Sequence, residues 1–402
     1  MKNFLDKIKS IKKHDGKFNT REIDYVLDVL ENSKHRGVDY VKKVENLFCK
    51  KFNVKYAIAC NSGTSGLHAA LYSLNLKKND EVIVPGLAVV MDAYVAIHLG
   101  IKPIFCDVDP DTFLINSEEI KKKITKKTKA IITVSLQGLP VDIDPIMKLA
   151  KKNNIYVIED NAQDFLGRYK NKLSGFSGDI GVWSFENKKH LSGASEGGII
   201  ATNNKSLAEK IRKFAGIGYK NMTAKGGRTS LAIETVQNPN YKRFDTIGLN
   251  YRMPQIVAAV AYAQLKNSKN IIQKRIESAN YFRQAIRNCN WLIEQKIPKN
   301  CKHSHYTFSV KYLNKKLSWK RFYNLYKSIG GDGFYGACAP IYKEPSVKNY
   351  LKKNKISKIR LANVEKIQKQ IMQFKTNYRD LKVAKKKAEI LRKLIIKIDN
   401  QR

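Results

Sequence analysis

Hydrophobic positions in the first half of the chain form short continuous runs, separated by stretches in which apolar residues recur with a helical period. The runs between residues 55 and 203 are rich in Val, Ile and aromatic side chains, which is typical of buried strands. Their sequences are KYAIAC, EVIVP, KPIFCDVD, KAIITVSL, IYVIED, DIGVWSF and GGIIATN. Amphipathic segments such as residues 64–76 and 144–153 lie between several of them. Strands that alternate with helices predict an α/β fold with a mostly parallel sheet covered on both faces.

Helical patterns at the two ends of the chain suggest how it divides into domains. Residues 20–33 predict an amphipathic helix before the first strand. Near the C-terminus, an apolar stripe predicts a last helix that packs against the rest of the chain; its residues are Leu381, Ala384, Ala388, Leu391, Ile395 and Ile398. We therefore predict a large domain over residues 1–274 and a smaller α/β domain over residues 275–402.

The chain carries a formal net charge of +40. Clustered basic residues would suit nucleic acid, because they neutralise phosphates. Here the basic residues are mostly lysines spread along the whole chain, without an Arg-rich tract with interleaved aromatic residues or a helix-turn-helix pattern. We therefore expect no nucleic-acid partner, and a basic surface that attracts anionic substrates.

The composition is that of a soluble globular protein, with 43% apolar and 27% charged residues. No run reaches the roughly 18 to 20 apolar residues of a membrane span, and the charged N-terminus lacks the apolar centre of a secretory signal. We expect no membrane partner and a cytoplasmic location. The six cysteines form no C-x-x-C pair, and His303 and His305 have no identifiable third ligand, so no metal site is expected.

Small and polar residues follow several predicted strands, where the ligands of parallel sheets bind. Gly63, Thr64 and Ser65 lie between a strand and a helix, where small residues and the helix N-terminus suit a phosphate. Asp160 ends a buried strand and Gln163 follows it; a carboxylate there could pair with a protonated ring nitrogen. Taken singly, Gly63, Thr64 and Ser65 are better explained as an ordinary capped helix start, and Asp160 could equally be a helix cap.

The stretch SFENKKHLSGASEGG, residues 184–198, offers amines just after another predicted strand. A lysine in that place can form a Schiff base with an aldehyde cofactor. Lys188 and Lys189 are both candidates, although most lysines of so basic a chain are simply solvated. Asn250 and Arg252, in GLNYRMP, could close a turn or reach a ligand.

In their order and spacing, these segments resemble the DegT/DnrJ/StrS family of sugar aminotransferases, which use pyridoxal 5'-phosphate (PLP). The likeness covers about residues 20–275 and includes NDEVIVPG, IFCDVDPDTF, KTKAIITVSLQG, EDNAQ, GDIGVWSF, GLNYRM and AQL. The resemblance implies the aspartate aminotransferase-like fold, fold type I of the PLP-dependent transferases. That fold has a large, mostly parallel-sheet domain and a smaller C-terminal α/β domain. The resemblance also implies a homodimer whose active sites are shared between the subunits.

The resemblance assigns roles to the residues at matching positions. Thr64, Ser65 and Ser184 would bind the PLP phosphate beside Gly63, and Asn250 would reach the phosphate of the neighbouring subunit's cofactor. Asp160 would keep the pyridine nitrogen protonated, which makes the ring an electron sink. Gln163 would contact the ring hydroxyl. Many members stack an aromatic side chain on PLP; the matching residue here is Val89, which can still cover a ring face.

The cofactor-binding lysine can be located in two registers. In the family, this lysine lies five residues after the phosphate-binding serine and seven residues before the first glycine of a Gly-Gly pair. Counting forward from Ser184 gives Lys189. Counting back from Gly197 gives His190. A histidine can move protons but cannot bond to the cofactor, and members with histidine there resemble sugar 3-dehydratases. We favour Lys189, because an extra residue is more easily accommodated in the loop-like GAS segment than beside the strand end. Lys188 ranks third.

The resemblance predicts a PLP-dependent aminotransferase that transfers an amino group to a keto sugar. The expected donor is glutamate, the expected sugar is nucleotide-linked, and Lys189 would serve as acid and base. The expected setting is glycan or polysaccharide precursor synthesis. Two alternatives remain: a PLP-dependent sugar 3-dehydratase that uses His190, and a non-catalytic regulatory protein of the same fold.

Overall fold

The structure is a computed structural model that describes residue 18 and residues 20–32, 39–226, 232–356 and 359–400. The start of the predicted large domain and the last residue of the predicted N-terminal helix lie outside this part of the chain. The helices are α1 (Thr20–Asn32), α2 (Tyr40–Phe52), α3 (Gly63–Ser73), α4 (Met91–His98), α5 (Ser117–Lys121), α6 (Ile143–Asn153), α7 (Lys205–Ala215), α8 (Ile233–Gln237), α9 (Gln255–Lys266), α10 (Ser268–Ala285), α11 (Trp319–Ser328), α12 (Pro345–Lys353), α13 (Ala362–Ile367) and α14 (Leu381–Asn400). Short 3-10 turns lie at Leu136–Gly138 and Ile341–Lys343.

The strands follow the predicted runs closely in the first half of the chain. They are β1 (Tyr56–Cys60), β2 (Glu81–Pro85), β3 (Lys102–Cys106), β4 (Thr128–Val134), β5 (Tyr156–Asp160), β6 (Arg168–Tyr169), β7 (Lys172–Leu173), β8 (Ile180–Ser184), β9 (Gly198–Thr202), β10 (Leu292–Glu294), β11 (Cys301–Lys302), β12 (Thr307–Tyr312), β13 (Tyr335–Gly336) and β14 (Ile371–Lys375). The hairpin of β6 and β7 was not anticipated, because strands of two residues are too short to leave a pattern.

A seven-stranded sheet forms the centre of the molecule, in the order β1-β9-β8-β5-β4-β2-β3. Its strands all run in one direction except β9, which is antiparallel to both of its neighbours. Both faces are covered: in β1, Ile58 and Cys60 pack into one hydrophobic cluster, whereas Ala57 and Ala59 pack into another. Burial on both faces explains why the strands are continuous apolar runs. The predicted α/β fold with a mostly parallel sheet is confirmed.

A four-stranded antiparallel sheet, β10-β12-β14-β13, carries the C-terminal part of the chain. Helices α10 and α14 pack together beside it, around an aromatic cluster that includes Phe282, Phe308 and Phe374. In α14 the residues Ala384, Ala388, Leu391 and Ile395 of the predicted apolar stripe are buried, so this helix packs on its own chain.

The boundary predicted between residues 274 and 275 falls inside α10. One continuous helix therefore joins the two predicted domains, and their division stays a prediction. A small sheet, β11-β6-β7, also links the two parts of the chain. No helix among the described residues is long and apolar enough to cross a lipid bilayer.

Candidate active site

A cavity of about 260 Å³ opens at the carboxyl end of the central sheet. Strands β1, β5 and β8 end beside it. Ligands of parallel sheets bind at this end of the strands. The predicted site residues that line this cavity are Gly63, Thr64, Asp160, Gln163, Ser184 and Lys189. Ser65 and Asn250 do not line it.

The N-terminus of α3 forms one wall of the cavity. The Ser62 hydroxyl accepts the Ser65 N–H at 3.0 Å, and Ser65 Oγ accepts the Ser62 N–H at 3.1 Å, a reciprocal capping box. A Cβ on Gly63 would lie 2.8 Å from Ser184 Cβ, so glycine lets α3 approach the end of β8. The buried Ser65 hydroxyl donates to Asn61 Oδ1 at 2.6 Å and belongs to the cap. The phosphate contact predicted for Ser65 therefore stays a prediction.

Asp160 lies buried at the end of β5, and its Oδ1 accepts the Ala162 N–H at 2.7 Å. Burial raises the pKa of Asp160, while the Ala162 N–H and the Lys189 ammonium oppose that rise. Behind it lies a second buried carboxyl group, Asp92, on the first turn of α4. Burial raises the pKa of Asp92 well above its usual range, and the neighbouring Asp160 raises it further.

The orientation of Gln163 is set by Gln137. The Gln137 backbone N–H donates to Gln163 Oε1 at 2.9 Å, which leaves the Gln163 Nε2 group as the donor toward the cavity. Gln137 has a left-handed backbone with φ of 64°. Its side-chain oxygen accepts the Thr307 hydroxyl at 2.7 Å, from the start of β12. The C-terminal sheet thus helps to fix a side chain of this cavity.

Lys189 reaches the cavity from the loop after β8. Its Nζ lies 5.2 Å from the centre of the Tyr306 ring. Burial lowers the pKa of Lys189, whereas the carboxylates of Asp160 and Glu186 oppose the change. A lowered pKa increases the neutral fraction of the amine, the form that acts as nucleophile and proton acceptor.

Arg275 holds the loop that carries this lysine. Its guanidinium donates to the Lys189 carbonyl oxygen at 2.9 Å and to the Tyr306 carbonyl oxygen at 2.9 Å. The side chain is buried, and burial lowers its pKa to about 10. Arg275 and Gln137 leave no local signal in the sequence, because both act on partners far away in the chain.

The other two candidates for the reactive residue are placed differently. Lys188 is exposed and lines a neighbouring cavity. His190 is buried, with Nε2 3.2 Å from the Ser304 carbonyl oxygen, and lines neither cavity. This placement favours the register counted from Ser184. Within the described ranges, no group of three or more His, Cys, Asp and Glu side chains is arranged to hold a metal ion.

A larger cavity of about 510 Å³ adjoins the first. Val89, Gln163 and Lys189 line both cavities, so these three residues lie at the boundary between them. The charged side chains of the larger cavity are all basic: Lys188, Lys189, Arg275 and Lys375. None of its described lining residues is Asp or Glu, and the cavity therefore suits an anionic ligand.

Asn250 and Arg252 lie on the surface. Arg252 Nε donates to Asn250 Oδ1 at 2.9 Å, and both residues are exposed. Large apolar side chains are exposed on the same segment, at Phe244, Ile247 and Leu249. An exposed polar residue among exposed apolar ones is typical of a protein–protein contact.

Comparison with known proteins identifies the family of the chain. The chain matches the DegT/DnrJ/EryC1/StrS aminotransferase family over residues 17–382. It is 35% identical over 295 residues to GDP-perosamine synthase of Escherichia coli O157:H7, which covers 72% of this chain and 74% of that protein. It is 33% identical over 303 residues to GDP-perosamine synthase of Caulobacter vibrioides, covering 75% and 76%. The solved structure of an aminotransferase from Psychrobacter cryohalolentis superposes with a TM-score of 0.83 and 27% identity, over 96% of this chain and 99% of that one.

The chain therefore belongs to the DegT/DnrJ/EryC1/StrS aminotransferase family. The predicted family and fold are confirmed, and so is the predicted enzyme class, a PLP-dependent sugar aminotransferase. An Escherichia coli GDP-4-keto-6-deoxy-D-mannose-3-dehydratase with bound hydrated PLP shares the fold, with a TM-score of 0.80 and 24% identity over 94% of this chain and 97% of that one. Because aminotransferases and a dehydratase share this fold, the fold alone does not set the reaction.

Proposed function

We propose that this protein transfers an amino group from glutamate to the carbonyl carbon of a keto sugar carried on a nucleoside diphosphate. The observation that carries the proposal is the position of Lys189, which lines both the cavity beside Asp160 and the adjoining basic cavity. The reactive amine can thus meet a cofactor on one side and an anionic substrate on the other. The product would enter glycan or polysaccharide precursor synthesis, and the cytoplasm stays its expected location.

The smaller cavity fits PLP. Gly63, Thr64 and Ser184 would bind the phosphate, because the N-terminus of α3 offers backbone N–H groups and a favourable dipole there. The buried Asp160 would accept a hydrogen bond from the protonated ring nitrogen, and Gln163 Nε2 would donate to the ring hydroxyl oxygen. Each polar group of the cofactor would thus meet a protein group of complementary charge or hydrogen-bonding role.

Lys189 is the acid and base of the proposed reaction. When bound, PLP withdraws electrons from the carbon that carries the substrate nitrogen and makes its proton acidic. The neutral Lys189 amine would accept that proton, and burial favours the neutral form. Arg275 would keep the lysine in place through its hydrogen bond to the Lys189 carbonyl oxygen.

The basic cavity would hold the substrate. Lys188, Arg275 and Lys375 supply positive charge around it without an opposing carboxylate among the described lining residues, which suits a diphosphate. The similarity to two GDP-perosamine synthases makes guanosine diphosphate the first carrier to test.

We also propose a homodimer in which Asn250 of one subunit reaches the cofactor phosphate of the other. The exposed Asn250 and the apolar residues on its segment support this arrangement. Mixing Lys189→Ala chains with Asn250→Ala chains tests it, because each hybrid dimer would regain one intact site. Random assembly would then restore about a quarter of the wild-type activity; no recovery would contradict shared sites.

The test of the proposed function is borohydride reduction of the PLP-loaded protein, followed by peptide mass spectrometry. The expected result is a phosphopyridoxyl group on Lys189 when no amino donor is present. Glutamate added before reduction should release 2-oxoglutarate and remove that label, because the cofactor then carries the donor's nitrogen. Transfer of nitrogen from 15N-glutamate to a GDP-linked keto sugar would complete the assignment. Bound PLP without a labelled lysine would instead indicate the dehydratase, and failure to retain PLP would indicate a non-catalytic protein.

A further inference from the structure

Two buried carboxyl groups meet behind the wall of the smaller cavity. Asp92, on the first turn of α4, is 1% exposed, and Asp160, at the end of β5, is 6% exposed. Their side chains are in hydrogen-bond contact. Two carboxylates offer only acceptors, so a hydrogen bond between them needs one proton. A hydrogen bond between the two acids would therefore leave one proton on the pair.

Their surroundings indicate which acid is ionised. Asp160 Oδ1 accepts the Ala162 N–H at 2.7 Å, and a backbone donor stabilises the carboxylate form. No donor among the described residues reaches Oδ1 of Asp92. Lys189, the cation that faces the pair from the loop after β8, attracts both acids and does not distinguish them. The backbone hydrogen bond thus favours ionised Asp160 and neutral Asp92.

We propose that Asp92 keeps its proton at neutral pH and donates it in a hydrogen bond to the Asp160 carboxylate. Asp92 does not line the cavity, so it acts through Asp160 and is a positioning residue. Its role toward the cofactor rests on the proposed function, in which Asp160 faces the protonated ring nitrogen. The pair then presents a single negative charge, held in a fixed orientation, to a single positive charge.

The cost of burying charge supports this assignment. An ionised Asp92 would place two adjacent negative charges in a site that excludes water, and such pairs share one proton instead. Burial raises the pKa of both acids, and Asp160 raises that of Asp92 further. Among the residues that the structure describes, the titratable groups whose charge acts on Asp92 are Asp160 on β5 and Lys189 on the loop after β8.

Infrared spectroscopy of the cofactor-free protein tests the protonation directly. A neutral carboxyl group has a C=O stretch separate from those of carboxylates. We expect this band at pH 7 in the wild type and in Asp164→Asn, which removes a different buried acid, beside Ser304. Asp92→Asn should lose it. A spectrum of Asp92→Asn that retains the full wild-type band would overturn the proposal.

Should Asp92→Asn fail to fold, Asp164→Asn protein labelled with 13C at the aspartate side-chain carboxyl replaces it. A neutral aspartate signal at pH 7 in the labelled Asp164→Asn protein would support the proposal, and its absence would overturn it. Neither measurement uses the cofactor. Failure of this inference is therefore distinguishable from failure of the proposed function.

Cofactor affinity tests the positioning role. Asn keeps a donor toward Asp160, whereas Leu has a similar volume and no donor. We expect Asp92→Asn to bind PLP nearly as tightly as the wild type, and Asp92→Leu to bind about tenfold more weakly. Equal affinity in all three proteins, or equal loss in both variants, would overturn the role. If even the wild type failed to bind PLP, the proposed function would fall and the protonation result would stand.

Discussion

At the scale of single residues, the proposed chemistry depends on a lysine whose environment differs from that of most lysines in this basic chain. Lys189 is partly buried beside Tyr306 and close to Asp160 and Glu186, and burial lowers its pKa. Its neighbour Lys188 is exposed. One step along the chain thus separates a partly buried amine, whose pKa burial lowers, from an exposed one.

Replacing Lys189 with alanine removes the proposed nucleophile and base together. We expect Lys189→Ala to lower kcat by about 10³-fold or more, with the fold intact. Lys188→Ala should keep the borohydride label on Lys189 and change mainly KM, because Lys188 lines the basic cavity. Steady-state kinetics and peptide mapping check both variants. Substantial turnover by Lys189→Ala would contradict the assignment.

His305 is a second residue whose environment sets its chemistry. Its ring stacks on His303 at 3.9 Å, and its Nε2 lies 3.4 Å from an Arg283 nitrogen. Burial, together with the Arg283 guanidinium, lowers the pKa of His305 to about 3. The unfolded chain takes up a proton as the pH falls below about 6.5, whereas folded His305 stays neutral down to about 3. Stability should therefore fall on acidification across this window.

We expect His305→Asn, which tolerates the left-handed backbone at φ of 51°, to reduce this acid sensitivity. Between pH 7 and pH 5 the wild type should lose about 2 kcal/mol more of its free energy of unfolding than the variant. Urea unfolding at a series of pH values measures the difference. Parallel pH profiles for the two proteins would show that His305 is not responsible.

At the scale of elements, a buried ion pair ties α2 to α7 and β1. Glu45 of α2 accepts two hydrogen bonds from the Arg212 guanidinium, at 2.9 and 3.0 Å, and one from the Ala59 N–H at 2.9 Å. Arg212 also donates to the Ala57 carbonyl oxygen at 3.0 Å. The pair fixes two helices against the edge strand that leads into the N-terminus of α3.

Replacing Glu45 with glutamine leaves the Arg212 charge buried without its partner. We expect the free energy of unfolding to fall by about 3 kcal/mol, measured by urea denaturation. Asp144→Asn is the matched control, since its ion pair with Lys170 is exposed and should add nothing measurable. Similar effects of the two substitutions would show that burial does not determine how much the Glu45–Arg212 ion pair contributes to the free energy of unfolding.

At the scale of the whole molecule, two features are not explained by one subunit alone. They are the exposed surface around Asn250 and the high net charge. Ile247 is 93% exposed, in contrast to most residues of its kind in the chain. A second subunit would cover such residues and bring Asn250 to a cofactor phosphate. The net charge of +40 would draw anionic substrates to either subunit.

We expect Ile247→Asp to dissociate the proposed dimer, because it would bury an unpaired charge at the interface. Ile293→Asp, on β10, is the control, because Ile293 is also exposed but lies on the C-terminal sheet. Light scattering coupled to gel filtration checks both variants. A monomeric wild type, or a dimeric Ile247→Asp, would contradict this surface as the interface.

Much of the central fold could be predicted from local pattern alone. Each strand of the large sheet is an apolar run of strand length, and the predicted helix at the C-terminus begins at Leu381 as its stripe indicated. The antiparallel direction of β9 and the two-residue strands β6 and β7 could not be predicted. Strand direction depends on pairing between distant segments, and very short strands carry no periodicity.

By itself the sequence determined the family, the fold class and several residues that line the smaller cavity, because these depend on residue types at fixed spacing after strands. Only the tertiary structure decided which of three adjacent side chains enters the cavity, since Lys188, Lys189 and His190 differ in burial rather than in local pattern. It also brought Asp92 to Asp160, a contact across 68 residues of sequence. Such contacts arise from packing between elements, and the order of residues along a chain does not encode them locally.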